Sequence, residues 1–408
     1  MPVYPANKMM KISVNANCCE LSPIRKFHPL AVAAEQQGLR IFHLNIGQPD
    51  LPTPSAFYDA IRQVPNDGTV AYAPSPGMPE LIGAVERYYR GIGVDLSPAD
   101  ILITTGGSEA LLFTCLSILD PGSEVIVPEP YYPNYATFIR AAGGVIRPMQ
   151  TQGENGFRYA GREELERMIT SKTRAILVTN PGNPTGTVLT QGEMDMLARV
   201  AKAHGLYLIS DEVYREFCYD PQAGVPTMAT LPGLEENLIV IDSVSKRFSA
   251  CGARVGCAIT KNPLVQEAIL KFCQARLSVA TLDQIGAAAL YDTDPSLFRQ
   301  ARAEYCRRRD VVVQGLRQIP GVRFTIPQGA FYLMAALPVD DTDKFQQWLL
   351  TEFADQGQTV MFAPGAPFYA TEGRGVQEAR IAFVSSPPEL ERAIVLLGLG
   401  IAAYNARR

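Results

Sequence analysis

The sequence predicts an α/β protein in which a large domain with a mostly parallel sheet is joined to a smaller α+β domain. Three observations predict it. From residue 100 onward, short β-branched apolar runs alternate with helical patterns, the arrangement that builds a parallel sheet. After a long helical run at 296–316 the pattern changes to short strands with single helices between them. The chain has 408 residues, more than one core usually holds. The expected division is an N-terminal arm with part of the small domain at 1–48, the large domain at 49–292 and the small C-terminal domain at 293–408.

Composition narrows the function. A formal net charge of −4 argues against a nucleic-acid footprint. No apolar run approaches the roughly 20 residues of a membrane span. The N-terminus shows no apolar secretory core. The eight cysteines have no metal-ligand spacing, and Cys115 and Cys273 sit in apolar helical patterns as buried thiols. A soluble cytoplasmic enzyme without a metal centre is expected. There is no internal repeat and no P-loop, and Gly91-Ile92-Gly93 lacks the third glycine of a dinucleotide fingerprint.

The elements are taken in chain order. Residues 1–20 read as a poorly ordered arm. Ser22-Pro23-Ile24-Arg25 can start a helix that carries through 31–37 and ends at Gly38, and a strand beginning at Ile41 stops at Gly47. Tyr72 lies in a Pro/Gly-rich loop before a helix at 79–90. A strand at 101–104 leads into the turn Thr105-Gly106-Gly107-Ser108-Glu109 and a helix at 110–119. Small residues at a helix start leave backbone N–H groups free to hold a phosphate. A strand at 125–127 ends in Tyr131 and Tyr132, either of which could lie on a flat ligand or simply pack.

The strand at 175–179 runs into Asn180-Pro181-Gly182-Asn183-Pro184-Thr185-Gly186, where two prolines fix the backbone around an amide side chain. A helix at 193–204 and a strand at 206–209 precede Asp211 and Tyr214. A carboxylate directly after a buried strand is costly unless a cation meets it, although a helix cap is the plain alternative. Helices are expected at 261–277, 283–291 and 296–316, and Arg307-Arg308-Arg309 in the last reads as a solvated face. Strands at 322–326, 330–333, 360–362 and 379–383 and helices at 343–356 and 388–402 complete the chain. Arg380 alternates with apolar residues in the last strand, as an edge charge or a clamp for an anion.

The chemistry is densest at Leu238-Ile239-Val240-Ile241 and in the residues just beyond it. This buried strand runs into Ser243, Ser245 and Lys246, then Gly252, Arg254 and Gly256. Burial near the strand end favours a neutral lysine amine, which attacks aldehydes to form a Schiff base. The two serines and Arg254 offer the hydroxyls and the guanidinium fork that a phosphate needs. A phosphate-bearing aldehyde points to pyridoxal 5′-phosphate (PLP).

The S-x-S-K-x5-G-x-R-x-G pattern resembles the lysine signature of the class I/II aminotransferases, which are fold-type-I PLP enzymes of the aspartate aminotransferase superfamily. Four more segments match in order: Leu44–Asp50 as L-x-x-G-x-P-D, Tyr72 to Gly77 as Y-x4-G, the N-P-x-N-P-T-G run, and Arg380-Ile381-Ala382-Phe383. The resemblance implies the PLP-dependent transferase fold type I. Lys246 would carry the cofactor and act as general base. Asp211 would pair with the pyridinium nitrogen, while Asn183 and Tyr214 bond the 3′-oxygen and Tyr132 stacks on the ring. Gly107, Ser108, Ser243, Ser245 and Arg254 would hold the phosphate, with Tyr72 reaching the partner's phosphate in a homodimer. Arg380, with Asn183 and the Gly47 backbone, would take the substrate α-carboxylate.

The implied reaction moves an amino group between an L-α-amino acid and a 2-oxo acid. Prokaryotic-type aspartate enzymes carry a lysine in the Gly-Gly turn, where Ser108 stands here, so a dicarboxylic preference stays open. A PLP lyase of the same fold, resembling a C–S lyase or an aminocyclopropane-carboxylate synthase, would keep the same cofactor motifs. A fused regulatory module would need a DNA-binding domain ahead of Gly47, and a non-catalytic scaffold need not keep Lys246 and Asp211 together.

Overall fold

The computed structural model of the chain describes residues 11–66, 68–220 and 226–407. The strands begin with β1 (Arg40–His43). Seven follow within one sheet: β2 (Ile101–Thr104), β3 (Glu124–Glu129), β4 (Val145–Gln150), β5 (Thr173–Thr179), β6 (Tyr207–Asp211), β7 (Leu238–Ser243) and β8 (Gly256–Ile259). The last are β9 (Arg323–Phe324), β10 (Tyr332–Ala336), β11 (Gln358–Met361), β12 (Ala363–Pro364) and β13 (Glu378–Ala382).

The seven-stranded sheet has the order β2-β8-β7-β6-β5-β3-β4, and β8 alone runs against its neighbours. Side chains alternate between its faces as a pleat requires. Val125, Leu177 and Ile209 pack on one side with Leu111 and Ile269. Ile126, Ile176 and Leu208 pack on the other with Leu197 and Val200. Both faces are covered by helices, which is why these strands read as unbroken apolar runs.

The second sheet, β12-β13-β10-β9, is antiparallel, and β1 pairs in parallel with β11. Helices Ser296–Leu316, Thr342–Thr351 and Pro387–Ala406 supply its core with Val312, Phe345, Leu349 and Leu397 around Phe331 and Phe383.

Several expectations are corrected. Gly107 and Ser108 are not in a free turn: the helix begins at Gly106 and runs to Ile118, so both lie in its first turn. Helices Ser55–Arg62, Asn134–Ala141 and Arg162–Met168 and strands β4 and β8 are additional elements, too short to show a long periodic run. β4 is an edge strand with an exposed Val145 and an internal Pro148, and β8 is the weak β-former Gly-Cys-Ala-Ile. The strand expected at 322–326 shrinks to Arg323–Phe324, and the helix expected to 356 ends at Thr351. Of the expected arm, residues 1–10 lie outside the described residues, while Val14–Asn17 is a short helix whose Asn15 side chain donates to the Ala141 carbonyl at 3.1 Å.

Arg308 is the largest departure. It is not on a solvated face but 5% exposed, and it donates to Asp50 Oδ1 at 2.6 Å, to Glu304 Oε1 at 2.8 Å and to the Val384 carbonyl. Three arginines in a row on a helix point in three directions, and the middle one here meets the segment that links β1 to the large sheet.

Candidate active site

Most of the residues singled out from the sequence lie just beyond the carboxyl ends of the parallel strands, where an open α/β sheet leaves a crevice. Gly107 and Ser108 follow β2, Tyr132 follows β3, Asn183 follows β5, Asp211 ends β6, and Ser245 and Lys246 follow β7. Gly47 and Arg380 come to the same place from β1 and β13.

A continuous run of polar contacts joins Lys246, Gly47, Tyr214, Asn183 and Arg380. Lys246 Nζ donates to the Gly47 carbonyl at 3.0 Å, and the Tyr332 hydroxyl donates to the same oxygen at 3.3 Å. Tyr332 is 3.0 Å from the Tyr214 hydroxyl, which accepts from Asn183 Nδ2 at 3.4 Å. Asn183 Oδ1 accepts from Arg380 Nη1 at 3.0 Å, and Arg380 Nη2 donates to the Asn45 carbonyl at 2.6 Å. Gly47 has to be glycine, since a β-carbon there would fall on the Tyr332 ring and hydroxyl.

Arg380 is 2% exposed, with its guanidinium 4.6 Å from the Tyr332 ring centre and 5.1 Å from that of Phe368. Among the described residues no carboxylate pairs with it, and its buried Nε has no partner. A buried guanidinium with an idle N–H is a seat for a carboxylate.

Asp211 is the complementary case. Burial drives its pKa up to about 6; the Asp242 and Glu212 charges add to this, while Tyr135 and the Val213 N–H oppose it. Tyr135 donates to Asp211 Oδ2 at 2.6 Å and lies 2.5 Å from Thr179 Oγ1. Among the described residues no cation pairs with Asp211, so the site suits a ligand that brings one. Burial, with the Tyr332 hydroxyl second, also holds the Tyr214 pKa well above its ordinary value, so that phenol stays neutral. Burial raises Tyr132 to about 12.

Between these groups lies an anion cradle. The helix from Gly106 opens toward Arg254, and a β-carbon at Gly106 (φ +72°) would come within 2.7 Å of Arg254 Nη2. Arg254 itself is held at φ 53°, its Nη1 donating to the Cys251 carbonyl at 3.1 Å. Ser243 Oγ donates to the Val255 carbonyl at 2.9 Å, accepts from the Ser245 N–H at 3.1 Å and lies 2.8 Å from Ser245 Oγ, which donates to it. Free N–H groups, two hydroxyls and a guanidinium in one concavity suit a phosphate.

Tyr72 is not brought to this site: it is 79% exposed. Tyr135, Tyr332, Phe368, Asn45 and Cys251 belong to the site and were not singled out from the sequence. Tyr135 had only a weak signal, as a third tyrosine in the short stretch that holds Tyr131 and Tyr132; it lies in the first turn of the helix Asn134–Ala141. Cys251, 3.7 Å from Lys246 Nζ, and the Asn45 carbonyl had none.

Comparisons with known proteins place the chain in a family. Residues 40–396 match the family described as aminotransferase class I and II. The aspartate/prephenate aminotransferase of Thermus thermophilus is 32% identical over 89% of this chain and 92% of its own. Aromatic-amino-acid aminotransferase 2 of Thermococcus litoralis is also 32% identical, over 94% and 97%. Among solved structures, aspartate aminotransferase from Thermus thermophilus with maleate superposes at a TM-score of 0.86, with 30% identity, 96% of this chain and all of that one covered. Alanine aminotransferase from Pyrococcus furiosus superposes at 0.88 with 28% identity, again over 96% of this chain and 100% of that one.

Proposed function

The chain belongs to the aminotransferase class I and II family, whose members move an amino group between an amino acid and a 2-oxo acid, and from that premise we propose that it does so with pyridoxal 5′-phosphate held on Lys246. The observation that carries this reading is the linked run from Lys246 through Gly47, Tyr332, Tyr214 and Asn183 to Arg380.

Gly107, Ser108, Ser243, Ser245 and Arg254 would hold the phosphate, Tyr132 would cover the ring, and Asn183 and Tyr214 would bond its 3′-oxygen. When bound, the cofactor supplies the electron sink that makes the substrate Cα–H acidic. Asp211 would keep the ring nitrogen protonated, its own charge stabilised by that cation. Arg380 would grip the α-carboxylate with its fork, backed by Asn183, and so turn the Cα–H bond toward Lys246. The Lys246 amine would then take that proton as general base.

The relatives differ by name in side chain, from aspartate and prephenate to aromatic amino acids, yet their substrates share the α-carboxylate that Arg380 suits. We assign residues 49–292 to a large domain and the remainder to a small one. The active unit is a homodimer in which exposed Tyr72 reaches the partner's phosphate. No helix among the described residues is long and apolar enough to cross a membrane. All eight thiols are free, which suits the cytoplasm.

The test is a panel of amino acids and simple amines added to PLP-loaded protein, with cofactor absorbance and 2-oxo acid release followed together. Amino acids should convert and simple amines should not. Ammonia release without amino transfer would overturn the reading.

A further inference from the structure

Behind the site lies a buried charge cluster that the reaction does not use. Arg215 and Arg247 both grip one carboxylate, Asp242, and all three are 2% exposed or less. Arg247 Nη2 donates to Asp242 Oδ1 at 2.9 Å and Oδ2 at 2.7 Å. Arg215 Nη2 donates to Asp242 Oδ2 at 2.9 Å, and its Nη1 to Glu212 Oε2 at 2.6 Å. Tyr89 adds a hydroxyl to Asp242 Oδ2 at 3.0 Å, and the Tyr88 ring lies 4.2 Å from the Arg247 guanidinium. The Glu212 Oε1 atom is also taken, by Ser210 Oγ at 2.8 Å and the Met228 N–H at 2.9 Å.

Each member of this cluster is the chain neighbour of a site residue. Glu212 follows Asp211, Arg215 follows Tyr214, Asp242 precedes Ser243 and Arg247 follows Lys246. The backbone thus turns one side chain toward the cofactor seat and the next into the cluster, four times on two separate strand ends. Such a buried ionic group rarely adds stability over apolar packing, so its value lies in geometry. Arginine supplies that geometry, because a planar fork fixes both direction and distance where an ammonium fixes neither.

Resting on the roles proposed for Lys246 and Asp211, we propose that Arg215 and Arg247 are positioning residues. Joined through Asp242, they hold the Asp211–Tyr214 turn and the Ser243–Lys246 turn at one fixed separation. The clamp keeps Lys246 Nζ on the Gly47 carbonyl and aimed across the site, opposite the carboxylate that meets the ring nitrogen.

The test compares Arg215→Met, Arg247→Met, the double variant and Arg247→Lys, each as PLP-loaded and as cofactor-free protein. Arg247→Met should lower kcat about tenfold or more, as expected of a misplaced general base. KM for the amino donor should stay within about threefold, because Arg380 is untouched. The double variant should be no worse than the worse single by more than about threefold, since both act through one link. Arg247→Lys keeps the charge without the two-oxygen grip and should fall between Arg247→Met and wild type.

The second readout needs no cofactor. In the cofactor-free chain, labelling of Lys246 by trinitrobenzenesulfonate, scored by peptide mapping against exposed Lys261, should speed up about threefold or more in Arg247→Met as Nζ leaves the Gly47 carbonyl. Unchanged kcat and unchanged labelling with only a lower melting temperature would reduce the cluster to packing and overturn the proposal. So would single losses that multiply in the double variant. A wild-type protein that transfers no amino group would overturn the functional reading instead, and the labelling ratio would still report on the clamp.

Discussion

Arg380 Nη1 donates to Asn183 Oδ1 at 3.0 Å across 197 residues of sequence. The first comes from β13 of the small antiparallel sheet and the second from the loop after β5 of the large one. One hydrogen bond therefore joins the group suited to a substrate carboxylate to a group suited to the cofactor's oxygen. The asparagine amide meets both neighbours in one orientation, with Oδ1 toward Arg380 and Nδ2 toward Tyr214.

Arg380→Lys would break that alignment. A lysine cannot give two parallel N–H contacts, so the α-carboxylate loses its fixed direction. KM should rise and kcat fall together, with kcat/KM down about 100-fold. PLP content should stay near native, because the phosphate cradle is untouched. Steady-state kinetics with absorbance of bound cofactor decide it, and loss of PLP with normal turnover would make Arg380 a cofactor residue.

Asp211→Asn has two signatures. In the loaded enzyme the half-reaction should slow by about 100-fold or more, since ring protonation is no longer enforced. In the cofactor-free chain the effect is on stability. Burial raises Asp211 to about 6, so the native state keeps a proton that the unfolded chain releases near pH 4. That contribution to stability is complete below about pH 4 and is lost as pH rises to about 6. The asparagine variant lacks this loss and should gain on the wild type across that window, by about 2–3 kcal/mol at pH 7. Urea titrations at several pH values measure it, and an equal difference at pH 4.5 and 7 would contradict it.

Arg308→Ala should cost about 2 kcal/mol or more, since it leaves a buried site and strips contacts from Asp50, Glu304 and the Val384 carbonyl. Arg307, 61% exposed, should change stability by no more than about 0.5 kcal/mol when replaced by alanine. Denaturant midpoints of the two variants give the comparison, and equal small shifts would mean that Arg308 is a surface charge after all.

Tyr72→Phe and Lys246→Ala subunits, each inactive as homodimers, should regain activity when mixed and exchanged. The Tyr72 side chain is 79% exposed and so open to a second copy. Proven exchange without recovery would count against a shared site.

Much of the large sheet was legible because its strands are buried on both faces and spell out apolar runs, as in β2 and β7. The candidate site was legible where its residues sit next to strand ends in fixed motifs, as Asn183, Asp211 and Lys246 do. The hidden part was of two kinds. Backbone carbonyls such as Asn45 and Gly47 carry no side-chain signal. Buried charges such as Arg308 and Arg247 look like solvated ones until their partners, 258 residues away for Asp50 and Arg308, are folded against them. The arginine run misled because charge predicts exposure only when no acceptors fold over it, as Asp50, Glu304 and the Val384 carbonyl do over Arg308.

The central claim is that Lys246 carries the cofactor. Borohydride added to the PLP-loaded protein should fix the cofactor on the chain irreversibly, and peptide mapping should find it on the peptide containing Lys246 and no other. A label on a different lysine, or a protein that binds PLP but gives no borohydride-stable label, would contradict the account.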